Sequence, residues 1–370
     1  LSCREGVSAS SRTRVFLGDV SPETVMKVAV FTTNGSFFSP VEKAFRKLGH
    51  EVQFWRTEKS EYNLGRLLSW CDVSFVEFCQ DPLQAVVAAK DDHPDVVLAA
   101  RMHRIEMYNR FSTSPEFHWD KVDHLFVSAD HVLERFLRNR SGKSKPRNVT
   151  VAPTNIVDPE MFPFVERDWK PPYRLCLVGN FVPKKRQYTT IQYMFDLKEK
   201  FGDLFRLDIL GQRGSWSGYG NPEYYQNCLD LIEDLELQDA VTIYDKIPRE
   251  EISGFYAREH AIISNSNEEG THVSIAEAAM TGCISFVNCW RGAKGVYPES
   301  VAEHFRSPAE FVALCTGLKM RSEADSIQDV SKAYARDAQK LYGAVGKYES
   351  LVRILEESVK AGAVPAKEKE

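Results

Sequence analysis

An α/β chain made of two doubly wound domains that face each other across a cleft is the fold class the sequence predicts. Three observations carry it. The chain has 370 residues, more than one domain usually holds. Strand-like and helix-like runs alternate in two separate series. Between the series, Phe164 to Tyr173 (FVERDWKPPY) has neither a period of 2 nor one of 3.6 and contains a Pro pair, which reads as a linker. We expect a leader over 1–25 outside the fold, a first Rossmann-like domain over 26–165, a second Rossmann-like domain over 172–345, and a C-terminal helix and tail over 346–370.

The leader, Leu1 to Val25, lacks an apolar signal-like run, whereas Met26 to Phe31 runs straight into a strand. In the first series Lys27 to Thr32 is a strand. Pro40 to Leu48 then places Val41, Ala44, Phe45 and Leu48 on one helical face, and Gly49 closes the helix before the strand Glu51 to Trp55. Strands follow at Val73 to Phe78, Asp95 to Ala100, Val122 to Ser128 and Asn148 to Pro153, with helices at Pro82 to Lys90 and Ala129 to Arg138. The second series has strands at Arg174 to Gly179, Arg206 to Gly211, Val241 to Asp245, Ala261 to Ser266 and Cys283 to Asn288. Its helices are Thr189 to Phe201, Tyr224 to Leu237, Arg249 to Arg258 and Ser274 to Thr281. One long helical region, Asp325 to Val359, precedes the polar tail Lys367 to Glu370.

Composition narrows the function. With 43% hydrophobic and 27% charged residues the chain reads as a folded globular protein, and a net charge of -5 argues against general nucleic-acid binding. No stretch reaches the ~20 apolar residues that span a bilayer. The eight cysteines form no C-x-x-C pair and several sit in apolar runs, so we expect reduced thiols and a cytoplasmic protein, with room for peripheral attachment to a membrane. The loop Arg138 to Arg147 holds five basic residues and would suit such a surface or an anionic acceptor. The aromatic loop Trp216 to Pro222 is read either as a border of the ligand site or as a surface turn.

The most informative segment is Ser264 to Gly282 (SNSNEEGTHVSIAEAAMTG). A strand ends, a polar loop with one glycine follows, and a helix begins near Thr271 to Ser274. A helix start of this kind turns unpaired backbone N–H groups toward the strands' carboxyl ends and favours an anion, above all a diphosphate. Glu269 precedes that start and Glu277 lies inside the helix among Ile275, Ala276, Ala278, Ala279 and Met280, where an unpartnered carboxylate would be costly. The pair can accept hydrogen bonds from sugar hydroxyls and from a ribose diol.

This segment resembles the E-x7-E signature of retaining GT-B glycosyltransferases, glycosyltransferase family 4 in particular. The resemblance extends over most of residues 26–298. It implies a GT-B fold and transfer, with retention, of a sugar from a nucleotide diphosphate sugar to a hydroxyl acceptor, either a saccharide or a lipid-linked group. It implies Glu269 beside the donor sugar, Glu277 on the ribose, and the backbone of Gly270, Thr271, His272, Val273 and Ser274 around the diphosphate; Thr271-His272 stands where the family usually has Phe-Gly. Leu177 to Lys185 is similar to the family's V-G-R-x-x-x-x-K. Lys185 matches the lysine, and Asn180 replaces the arginine, a loss that Lys184, Arg186 or Arg291 would have to offset. His103, in the polar, basic loop that Asp95 to Arg104 carries at a strand's carboxyl end, matches a histidine the family points at the donor sugar, and Val149 to Phe162 resembles its domain-closing segment. Base choice would rest on contacts around Asp245 to Pro248. Neither a cofactor nor a metal is expected, since no D-x-D motif is present. A nucleotide-sugar epimerase, a phosphorylase and a non-catalytic sugar-nucleotide-binding subunit are the alternatives, because one fold hosts many activities.

Overall fold

A computed structural model describes residues 25–32, 38–55, 62–108, 114, 116–139, 144–152, 154–214, 220–343 and 346–363. The leader up to residue 24, residues 140–143 of the basic loop, residues 215–219 of the aromatic loop and the polar tail lie outside them.

The first six-stranded sheet contains β1 (Lys27–Thr32), β2 (Glu51–Trp55), β3 (Val73–Glu77), β4 (Val97–Met102), β5 (His124–Val127) and β6 (Asn148–Val151), in the order β2-β1-β3-β4-β5-β6. The second contains β7 (Tyr173–Val178), β8 (Phe205–Leu210), β9 (Val241–Tyr244), β10 (Ala261–Ser264), β11 (Ile284–Asn288) and β12 (Glu303–Phe305), in the order β12-β11-β10-β7-β8-β9. Every pairing is parallel, so each strand must be followed by a crossover, and the crossovers are largely helical. In the first sheet they are α1 (Ser39–Lys47), α2 (Tyr62–Trp70), α3 (Asp81–Ala89) and α4 (Asp130–Asn139). In the second they are α5 (Gln187–Phe201), α6 (Pro222–Asp234), α7 (Ile252–Ala257), α8 (Val273–Thr281) and the short α9 (Ala293–Val296). Three more helices close the chain: α10 (Pro308–Glu323), α11 (Ile327–Tyr342) and α12 (Gly346–Ala363).

Central strands buried on both faces need nearly unbroken apolar runs, and those of β1, β7 and β10 supply them. The strand order of the second sheet reverses between β7 and β10, the topological switch point at which open α/β sheets bind ligands beyond the strand ends.

Three readings need correction. The strand expected to stop at Ala100 runs on to Met102, because Arg101 is fully buried against Glu77 and behaves as a core residue despite its charge. The long helical region over 325–359 is two helices, α11 and α12, which part after Tyr342. The stretch over 249–258 begins as a 3-10 turn, and only Ile252–Ala257 is α-helical. Four further elements, α2, the short α9, α10 and β12, have no counterpart in the expectation from sequence; Ser307, whose hydroxyl accepts from the Glu310 amide, caps α10.

Although α12 follows the second sheet in sequence, it packs on the first. Tyr348, Leu351, Val352 and Leu355 join the core of Val28, Val30, Phe45 and Phe75. Lys47 reaches Glu349 (2.7 Å), and His124 meets Ser358 (2.6 Å). The chain thus crosses between the two sheets twice.

Candidate functional site at the ends of the second sheet

The loops leaving β7 and β10 are tied together at the switch point. The Asn267 amide donates to the Lys184 carbonyl (2.9 Å). His272, at the left-handed position before α8 (φ 37°), buries its ring and bonds through Nε2 to the Val178 carbonyl (3.1 Å) and through Nδ1 to the Ser264 hydroxyl (2.6 Å). A carbonyl can only accept, so Nε2 carries the proton and Nδ1 accepts from Ser264. His272 therefore anchors the loop from beneath. Burial first, and then the Lys185 charge, lower its pKa to about 4, which keeps it neutral.

Lys185 lies along Gly179, where a Cβ would come within 3.1 Å of the lysine chain, and its ammonium meets the Glu269 carboxylate at 2.6 Å. The Ser266 hydroxyl donates to the same carboxylate (2.7 Å). Burial alone would raise the Glu269 pKa, but Lys185, His272 and Ser266 outweigh it and hold the carboxyl well below the usual range. Glu269 is thus an ionised, oriented group.

Glu277, also buried, takes Arg249 on Oε1 (2.5 Å) and the Tyr256 hydroxyl on Oε2 (3.1 Å). Burial dominates there and leaves its pKa raised despite Arg249. A cavity of about 800 Å³ lies beside Arg249, lined also by Gly179, Asn180, Gly211, Lys246 and Ile247 of the second sheet, and closed by Met161 and by Tyr348 from α12. At its floor the chain ends approach so closely that a Cβ on Gly211 would overlap the Gly179 carbonyl, at 2.1 Å. Glu277 communicates with this space through Arg249, and Lys185, which holds Glu269, neighbours it through Gly179, along which its chain lies.

The first sheet closes on the same loop. Arg104 reaches Glu268 (3.0 Å), His131 from α4 bonds the Glu269 carbonyl (2.8 Å), and Thr154 meets the Thr271 hydroxyl (2.7 Å). Gly270 packs against this approach, and a Cβ there would lie 3.4 Å from both the Arg104 Cβ and the Ser128 hydroxyl, at van der Waals contact. Tyr297, a buried phenol, holds the carbonyls of Thr271 and His272. Val273 and Ser274 form the first turn of α8 above them.

His103 directly follows β4 and turns into the first unit. Its Nε2 meets Glu77 (2.5 Å), its ring stacks on Phe78 at 4.2 Å, and its amide donates to Glu106 (2.5 Å). Phe78 holds the left-handed φ of 73°, a costly conformation for a bulky residue. Burial, and the Arg101 charge against the pull of Glu77, leave the His103 pKa lowered. Among the residues thought able to replace the missing arginine, Arg291 is engaged elsewhere, with Glu134 of α4 (2.7 Å), while Lys184 stands beside Lys185. Arg104, His131, Arg249 and Tyr256 were not singled out by the sequence; the one available signal was the basic character of the loop after β4.

Two facing, parallel, doubly wound sheets with a helix start and paired carboxylates at the switch point define a GT-B fold. Residues 162–302 match the family model described as glycosyl transferases group 1. Similar solved structures include the sucrose-phosphate synthase of Thermosynechococcus elongatus, at 12% identity over 91% of this chain and 100% of that one, with a TM-score of 0.69. A glycosyltransferase from Rickettsia africae is 13% identical over 91% and 99%, with a TM-score of 0.68. HepE of Anabaena, in complex with UDP and glucose, is 12% identical over 90% and 100%, with a TM-score of 0.65. No sequence among curated proteins matches the chain. Among the described residues no helix is long and apolar enough to cross a membrane.

Proposed function

We propose that the protein is a glycosyltransferase that moves a sugar from a nucleotide diphosphate sugar to a hydroxyl acceptor with retention at the anomeric carbon. The observation that carries this reading is the convergence of Lys185, the ionised Glu269 and the start of α8 at the sheet's switch point, beside a cavity large enough for a nucleoside. The match of residues 162–302 to glycosyl transferases group 1, and the UDP and glucose of the HepE complex, support it.

In this reading the base and ribose occupy the cavity beside Lys246, Ile247 and Arg249. The diphosphate lies against Lys185 and the backbone of Gly270 to Ser274, and the sugar lies toward Glu269. The bond between the anomeric carbon and the phosphate oxygen breaks, its electron pair leaving with the diphosphate, while the acceptor oxygen bonds to the anomeric carbon on the same face and gives its proton to the departing phosphate. Lys185 and the helix start stabilise the charge that develops on the leaving group, an effect worth several kcal/mol where water is excluded. Glu269 orients the sugar hydroxyls and stabilises the positive charge on the ring.

A thermal-shift screen of UDP, GDP, ADP and their sugars should reveal one preferred donor, because a ligand of the folded state alone raises the melting temperature. With that donor, Glu269→Gln should reduce sugar transfer by about 100-fold or more while nucleotide binding persists. Undiminished transfer would remove Glu269 from the chemistry, and absence of transfer in the native protein would favour a binding subunit.

A further inference from the structure

Asn180 supplies no guanidinium from the loop after β7, yet one reaches the loop before α8 from the opposite sheet. Arg104 follows β4 in the first unit, extends across the interface and holds Glu268 at 3.0 Å, with only 14% of its side chain exposed. Glu268 immediately precedes Glu269, and Gly270 packs under the Arg104 stem. Lys184 lies within the same field. As a residue it is exposed, but loss of solvent around its ammonium, and next the Arg104 charge, lower its pKa. Arg104, Lys184 and Lys185 thus stand in one field with Glu268 and Glu269 at the loop that leads into α8, with His272 held neutral. A dianionic or trianionic group would be better matched by those cations than is the single carboxylate of Glu268.

We infer that Arg104 is the guanidinium of the diphosphate site, supplied across the cleft by the first unit, and that Glu268 is a stand-in which the diphosphate displaces. The inference rests on the donor reading above. It makes closure of the two units and capture of the diphosphate one event: the planar fork can bind two phosphate oxygens only while the sheets are together. Its counterpart, in which Arg104 and Glu268 merely latch the units, makes the opposite prediction for Glu268.

Equilibrium binding of UDP, GDP and ADP, each beside its nucleoside, separates the possibilities. For the diphosphate that the native protein prefers, Arg104→Gln should weaken binding roughly tenfold and leave the nucleoside unaffected, with Arg104→Lys intermediate. Glu268→Gln should strengthen diphosphate binding several-fold, and that gain should shrink in the R104Q background. Diphosphate binding unchanged by R104Q, or weakened equally for nucleoside and diphosphate, would overturn the inference. So would a loss of affinity in E268Q, which marks a latch. If the native protein binds none of the three diphosphates, the donor reading falls first and Arg104 falls with it. Melting curves of each variant confirm that it is folded.

Discussion

His272 combines a backbone role with a side-chain one. Its left-handed φ of 37° is costly for a residue with a Cβ, and the strain is offset by the two hydrogen bonds that fix its ring beneath the loop. Neutrality is part of that arrangement, because the ring lies close to Lys185. The consequence is a pH dependence of known sign. With a folded pKa of about 4 against about 6.5 unfolded, the unfolded chain binds the extra proton between those values, so stability is lost as pH falls from about 6.5 toward 4. The loss amounts to as much as about 3 kcal/mol if this group acts alone. Urea titrations across that range should show His272→Asn less sensitive to acid than the native protein; equal sensitivity of the two would contradict the assignment.

At the scale of the element, α8 is specified at both ends. Its start is the candidate anion site, and its end at Gly282 takes φ 99°, where a Cβ would lie 2.6 Å from an Arg167 nitrogen and 2.7 Å from Phe164. Arg167, in the linker, binds the carbonyls of Thr281, Glu259, Tyr256 and Val165, so the end of α8, the linker and the segment from α7 into β10 share one guanidinium. Gly282→Ala should therefore cost about 2–4 kcal/mol in a denaturant titration, strain and overlap adding together. A cost under about 0.5 kcal/mol would show that the end of α8 relaxes freely.

Much at this scale was legible in the residues. The β-branched and aromatic runs from Met26 and from Tyr173 reported strands because parallel strands are covered on both faces, and the spacing in Pro40 to Leu48 reported a half-buried helix. Two features were not legible. A charge such as Arg101 reads as loop until its partner Glu77 is placed beside it. A contact such as Arg104 with Glu268 joins positions 164 residues apart, and His131 meets Glu269 across 138, so no local period records them. The carboxylates, the lysine and the helix start were visible because they belong to two short segments; the cations that answer Glu268 and Glu277 come from other elements.

For the whole molecule, the two sheets are joined at the linker and again where α12 returns to pack on the first unit. That return places Tyr348 on the wall of the cavity together with Ser39, Pro40 and Lys43 of the first unit and Gly179, Gly211 and Arg249 of the second, so the space for a nucleoside is completed only by both units. Arg104, His131 and Thr154 close the opposite side over the loop before α8. The central claim is that this closed arrangement holds a nucleoside diphosphate through Lys185. Calorimetric titration of the preferred diphosphate into the native protein and into Lys185→Ala tests it most directly. The expected result is a loss of affinity of roughly 30-fold or more in the variant, about 2 kcal/mol for a desolvated charge-assisted contact, with binding of the free nucleoside retained. Equal affinity of the two proteins for the diphosphate would contradict it.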